Sequence, residues 1–297
     1  MMNIYDCFQY FDEDILLDIR LNTLDKYVKK FIIAEATYTH NGSKKKLNFD
    51  INNFKKFKDK IEYIIIDKPP KNILKIVENE PEEVRGEKLI LNGMARDYFQ
   101  RENLIRGISE VEDDDMILIS DLDEIPNLSK TNFNKINNNI IIFEQKMFYY
   151  KLNFLYENYY WYGTKACKKK NLISPQWLRN IKDKKFSFFR IDTLFSKTKY
   201  INIKFIDNGG WHFTNIKTAS EIKHKLKSYL HHREFDVNPI SYNEIEEIIK
   251  NKIAIYDLTL DKRVQKIGTG KKLKKYPLDR LPKFLQNNVE RYKDWID

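Results

Sequence analysis

Asp121 and Asp123 are the residues whose type and spacing speak most directly of chemistry. They follow Met116, Ile117, Leu118 and Ile119, an apolar and largely β-branched run of the kind that forms a buried strand. Pro126 then ends any regular structure. Residues i and i+2 of an extended chain point the same way, so the two carboxylates face one point. Carboxylates grouped at the carboxyl end of a buried strand suit a hard divalent cation that also holds substrate phosphates. The competing reading is a polar turn after a strand, because isolated Asp-x-Asp triplets are common.

The elements that must position this pair are legible around it. Residues 5–10 read as a short strand. An amphipathic helix follows from Asp12, with Leu17, Leu21, Leu24 and Val28 on one face. Residues 30–35 and 61–66 read as further strands, the latter stopped by Pro69 and Pro70. Residues 71–86 are charged and weakly patterned, and read as a variable insertion. A long helix is expected over 88–111, leading into the Asp-x-Asp strand. Strands alternating with helices predict a mainly parallel sheet with covering helices.

The second half is richer in aromatics. Residues 140–155 read as one long strand containing Phe143, Phe148, Tyr149, Tyr150 and Phe154. Tyr159, Tyr160, Trp161 and Tyr162 follow and cannot all point inward, so some are expected to be exposed beside an acceptor. Ser174-Pro175 caps a short helix. Residues 186–189 and 200–205 read as strands, with Gly209-Gly210-Trp211-His212-Phe213 after a loop. Thr218 with Glu221, and Ser241 with Glu244, form capping boxes for two more helices.

The 297 residues suffice for one large α/β domain. An apolar share of 42% excludes a disordered chain. The net charge of +10 favours acidic partners: nucleic acid, an anionic membrane or a phosphorylated substrate. The lysines are dispersed, however, and no nucleic-acid-binding module is legible, so no nucleic-acid partner is expected. Cys7 and Cys167 make neither a metal motif nor a disulfide framework, which points to a reducing setting. No stretch reads as a signal peptide or a membrane span, so a cytoplasmic location, or one peripheral to a membrane, is expected. The oligomeric state is not legible.

Three sets of motifs stand in order along the chain. The first comprises Tyr5 to Phe11, Leu17 to Leu24, and Phe31 to Thr39 with Gly42. The second is Ser120-Asp121-Leu122-Asp123-Glu124-Ile125-Pro126. The third comprises Gly210-Trp211-His212-Phe213 and Lys225 to His231. Together they resemble family seventeen glycosyltransferases, over about residues 4 to 235. That family includes the β-1,4-mannosyl-glycoprotein N-acetylglucosaminyltransferases, which use a UDP-sugar. The resemblance implies a GT-A-like fold, Mn2+ or Mg2+ as cofactor, and inversion at the anomeric carbon. It also implies a division into a nucleotide-sugar-binding half (1–126), an aromatic-rich acceptor-side half (127–240) and a helical, basic extension (241–297) of a single domain. The partners implied are a nucleotide sugar and a glycan acceptor.

Roles follow from the resemblance and from side-chain chemistry. Asp123 is the preferred direct metal ligand, and Asp121 reaches the metal through water or holds the ribose. Glu124 either supports them or faces solvent. His212 is a candidate metal or diphosphate contact, and the alternative is a packed imidazole. Glu35 and Thr37 close the second strand and are candidates for the uracil and ribose. Arg101 is a candidate diphosphate clamp or a surface ion pair. Lys225 and His231 are candidate diphosphate contacts or an exposed helix face. Inverting transfer needs a base for the acceptor hydroxyl. The family pattern has an acidic residue three positions before the Trp, where this chain has Asn208. The base is therefore expected at Asp207, or elsewhere at Glu144 or Glu157. This departure also leaves open a non-catalytic glycan-binding module on a transferase fold. A nuclease or nucleic-acid-binding protein is the other competing reading.

Overall fold

The computed structural model describes residues 2–187, 189–193, 195–228, 235, 239–256 and 270–297. Its first strands are β1 (Ile4–Gln9), β2 (Lys30–Ala36), β3 (Ile61–Ile66) and β4 (Met116–Asp121), all parallel, in the order β3-β2-β1-β4. Helix α1 (Asp14–Leu24) crosses from β1 to β2, and α2 (Glu82–Glu102) from β3 to β4. The strand order reverses between β1 and β4, and Gln9 at the end of β1 pairs with Asp121 at the end of β4. An α/β sheet opens its ligand crevice at such a switch point, outside the carboxyl ends of the strands.

Alternation along the strands builds two cores. Phe8, Phe31, Ile33 and Leu118 pack one face against Leu17, Leu21 and Leu24 of α1. Cys7, Ile32, Ala34, Ile117 and Ile119 pack the other against Leu104, Ile108 and Leu178.

The second half extends the sheet with a different sense. The remaining strands are β5 (Glu124–Pro126), β6 (Ile140–Tyr149), β7 (Phe154–Trp161), β8 (Lys165–Lys168), β9 (Ile203–Thr214) and β10 (Lys274–Lys275). β8 is antiparallel to β4 and β6, β7 is antiparallel to β6, and only β9 runs parallel to β6. The result is a mixed sheet flanked by helices, parallel in its N-terminal half.

Several boundaries differ from the sequence reading, each for a local reason. The stretch 140–155 is a hairpin of β6 and β7, not one strand. Tyr150 turns the chain with a φ of 61°, and Asn153 ties the turn to the C-terminus by accepting from the Asp297 amide at 2.9 Å. Helix α2 begins at Glu82, inside the supposed insertion, with Glu82 and Glu83 in its first turn, where acidic residues favour the helix dipole. A separate 3-10 segment, Asn103–Ile108, replaces the expected end of that helix. The described residues of 186–189 form no strand. The strand and loop expected over 200–213 form the single strand β9. Its register against β6 shifts between Phe143 and Gln145, and Asn208 takes a φ of 49° there.

The helices with sequence-legible caps form as expected. Ser174 accepts from the Trp177 amide to start α3 (Pro175–Asn180). Thr218 and Glu221 cap α4 (Ala219–Ser228), and Ser241 and Glu244 cap α5 (Tyr242–Lys250) reciprocally. Helices α4 and α5 cover Met147, Tyr149 and Tyr156 in a third core. The tail pairs β10 with β7 and adds α6 (Lys283–Gln286), whose Leu285 joins the α1 core. No helix among the described residues is long and apolar enough to cross a membrane.

Candidate active site

The turn after β4 brings distant sequence together. The Asp123 carbonyl accepts from the Phe213 amide at 2.9 Å, and Glu124 in β5 pairs with His212 in β9. This ladder sets the His212 Nε2 3.5 Å from the Asp123 Oδ2. Trp161 stacks on the imidazole at 4.9 Å between centroids and 30° between planes. Trp211, the next residue along β9, points to the opposite face, where it is buried and donates from Nε1 to the Arg280 carbonyl at 3.2 Å. Gly210 has a φ of +144°, and a Cβ there would lie 2.2 Å from the Ile125 carbonyl. Close β5–β9 pairing therefore needs glycine at this position.

Asp121 sits between two guanidinium groups. Arg101 of α2 donates to Oδ1 at 3.0 Å, and Arg179 of α3 donates to Oδ2 at 2.7 Å. Arg101 is fixed by Asp97 (3.1 Å) and by the Gln176 Oε1 (2.6 Å). Arg179 also holds the fully buried Glu124 at 2.6 and 2.9 Å, and Glu124 in turn accepts from the Asp121 amide at 2.8 Å and from the Trp161 indole. Glu124 thus supports the turn from within and does not face solvent. Burial opposes ionisation of Asp121, but Arg179 and Arg101 outweigh it and hold the carboxyl well below the usual range. For Asp123, burial is likewise outweighed, here by His212 and Lys225.

Lys225 of α4 extends this field. Its Nζ lies 3.9 Å from the Glu13 Oε1. Burial disfavours its charge, yet Glu13, Asp123, Asp12 and Asp121 together raise its pKa. His231 lies outside the described residues. The loop after β2 reaches across the same mouth. The His40 Nε2 is 3.8 Å from Asp97, the His40 carbonyl accepts from Arg96 at 2.9 Å, and the Asn41 side-chain Nδ2 donates to the Lys227 carbonyl at 3.0 Å. Burial lowers the His40 pKa against the pull of Asp97.

Glu35 and Thr37 lie at the root of that loop. Glu35 is fully buried, with both oxygens engaged: Lys45 and the Asn48 amide (2.8 Å) on Oε1, the Phe49 amide (3.1 Å) and the Tyr63 hydroxyl (2.8 Å) on Oε2. It braces the loop from below. Thr37 is half-buried, with its hydroxyl 3.4 Å from the Ile66 carbonyl. Glu144 and Asp207 lie on neighbouring strands around Tyr162, which donates to Glu144 at 3.2 Å and feels the charge of both. Among the described residues no hydrogen bond or ion pair links either of them to Asp121, Asp123 or His212. Glu157 is paired with Lys274 at 2.6 Å.

The sequence reading did not single out the residue that organises the turn. Arg20 of α1 is fully buried. Its Nη1 donates to the carbonyls of Asp121 (3.1 Å), Leu122 (3.1 Å) and Glu124 (2.9 Å), and its Nη2 to the Ser120 hydroxyl (2.5 Å). Asp6 of β1, also fully buried, accepts from Nε and Nη2 at 2.8 and 2.6 Å. The available signal was an arginine on the apolar stripe of α1 facing an aspartate inside an apolar strand. Arg179 and His40 carried no comparable signal.

Asp123 supplies a carboxylate of the kind that suits a hard divalent ion, and His212 adds the softer imidazole donor beside it. The Asp123 Oδ2 and His212 Nε2 lie 3.5 Å apart, near enough for one ion to be held by both. No group of three or more His, Cys, Asp and Glu gathers as a metal cage among the described residues. A single carboxylate with substrate phosphates and water can complete the shell of a magnesium-type ion, so Asp123 meets the minimum for such a site.

Comparison with known proteins identifies the family. The model of Glycosyltransferase family 17 matches residues 1–296. Among curated proteins none matches. Among solved structures, the chain is similar to HddC from Yersinia pseudotuberculosis at 12% identity, with 70% of this chain and 92% of that one covered and a TM-score of 0.33. It is also similar to glucosyl-3-phosphoglycerate synthase from Mycobacterium tuberculosis in complex with Mn2+, uridine diphosphate and phosphoglyceric acid, at 12% identity, 81% and 80% coverage and a TM-score of 0.30. Because the family match runs almost from end to end and takes in the Asp-x-Asp turn and His212 alike, the chain belongs to glycosyltransferase family 17 and is a glycosyltransferase.

Proposed function

We propose that this glycosyltransferase moves a sugar, N-acetylglucosamine or glucose, from a UDP-sugar to a hydroxyl of a glycan, with inversion and with Mn2+ or Mg2+ held by Asp123 and His212. The observation that carries the reading is the 3.5 Å approach of these two side chains at the switch point of the sheet. A divalent ion held there would neutralise charge on the departing diphosphate. Lys225 adds a cation beside the same carboxylates, suited to the diphosphate oxygens. Arg101 and Arg179 hold Asp121 in place, and Asp121 orients water or the ribose. Glu35 and Thr37 shape the loop proposed to receive the uridine. The acceptor hydroxyl oxygen bonds to the anomeric carbon as the bond to the diphosphate breaks, and its proton passes to a carboxylate base.

A donor panel tests the reading. UDP with manganese is expected to raise the melting temperature, and at about 100 times the dissociation constant the gain is roughly 2.7 kcal/mol. A shift with GDP and none with UDP would contradict the donor assignment. For the base we propose Asp207 or Glu144, the two carboxylates that share Tyr162. Asp207→Asn or Glu144→Gln should cut turnover about 100-fold or more while UDP binding is unchanged, within the range of general base catalysis. Full turnover in both variants would place the base elsewhere.

A further inference from the structure

A cavity of about 780 Å³ lies on the far side of β9 from His212, between α1, the turn after β5 and the C-terminal tail. Its volume is that of a ligand site. The Pro126–Gly210 rung of the β5–β9 ladder lines it, two residues from the Glu124–His212 rung, or about 7 Å along the strand. Trp211 and His212 thus point to opposite faces of one strand, one toward the cavity and one toward the Asp-x-Asp turn.

The lining carries a specific chemistry. Five Lys or Arg side chains face two Asp, and one of these, Asp25, is already paired with Lys60 at 2.9 Å. Lys146 of β6 is the central feature. It is half-buried beside Trp211, with its Nζ 5.1 Å from the Tyr160 ring centroid and 6.0 Å from that of Tyr276. No carboxylate among the described residues pairs with it, nor with Arg280 at the rim. The half-exposed ammonium faces the cavity beside aromatic rings, and an anion entering the cavity would supply the counter-charge that the described residues do not. Asn208 adds an amide that both donates and accepts, and Asn127, whose Oδ1 already accepts from Ser129, adds an amide donor, as hydroxyl recognition requires.

From this combination of aromatic faces, amides and an unpaired cation we infer that the cavity is a second carbohydrate site, one that binds an anionic oligosaccharide through Lys146. The charge on the ligand is a carboxylate or a phosphate. A neutral sugar would leave Lys146 unpaired, and the two aspartates, one of them neutralised, make a poor cation site. The inference uses membership of the glycosyltransferase family and is independent of the donor and metal proposed above.

Calorimetric titration of the full chain tests it, with three probes: a hyaluronan tetrasaccharide (carboxylate), glucose 6-phosphate (phosphate) and chitotetraose (neutral). At least one anionic probe is expected to saturate, with chitotetraose about tenfold weaker or more. Lys146→Gln should weaken the anionic probe about tenfold or more, and Arg280→Gln severalfold, with both variants keeping the parent melting temperature. UDP with manganese should not displace the probe. Absence of saturable binding by either anionic probe, equal binding of chitotetraose, full affinity in both variants, or displacement by UDP would overturn the inference. Because the readout is binding and not transfer, failure of the UDP-sugar assignment leaves this result unaffected.

Discussion

Replacing Asp123 with alanine is expected to lower UDP-sugar turnover at least about 1,000-fold, a loss of roughly 4 kcal/mol in transition-state stabilisation. The size follows from the absence of a substitute. Asp121 is the nearest other carboxylate, but its two oxygens are held by Arg101 and Arg179 at 3.0 and 2.7 Å. Glu124 is fully buried and bonded to Arg179, Trp161 and the Asp121 amide. Neither can swing to His212 without abandoning charged partners. Chelation of divalent ions with EDTA should reproduce the loss in the parent protein, and added Mn2+ should restore it there but not in the variant. Release of UDP measures all three. Turnover within tenfold of the parent, in the variant or under EDTA, would remove the metal from the mechanism.

The largest effect on stability is expected at Arg20. Arg20→Met keeps much of the side-chain volume but leaves Asp6 as an unpaired charge with no exposure, and strips donors from three carbonyls of the Asp-x-Asp turn. Breaking a buried pair from one side costs about 3–5 kcal/mol. For a chain of this size that lowers the melting temperature by on the order of 10 °C. Removing the stranded charge as well, in Arg20→Met with Asp6→Asn, should recover part of the loss, because the penalty belongs to the unpaired carboxylate. Thermal unfolding of the two variants decides the point. A single variant as stable as the parent would show that the turn holds without its buried guanidinium.

How much of this was legible depended on whether a feature was local. Strand β3 falls at 61–66 as its apolar run indicates, and both capping boxes start helices where Thr218 and Ser241 stand. The hairpin of β6 and β7 was hidden because aromatics flank the turn on both sides, and the break comes from the conformation at Tyr150 and from turn contacts to the distant C-terminus. The start of α2 was hidden because its first turns are charged and exposed, so no apolar stripe announces them.

The sequence by itself determined the alternation of strands and helices, the placing of two aspartates at a strand end, and, through its ordered motifs, the family. These rest on side-chain periodicity and spacing along the chain, which need no knowledge of what lies opposite. Only the tertiary structure decided the partners of each charge. Arg101 holds Asp121 and not a surface acid, Glu35 braces a loop with both oxygens, and Arg20 from α1 organises a turn 100 residues away. It also sent Trp211 and His212 to opposite faces of one strand. Such pairings are set by sheet register and helix docking, and a charge buried by that packing must find its counter-charge wherever the fold has carried it.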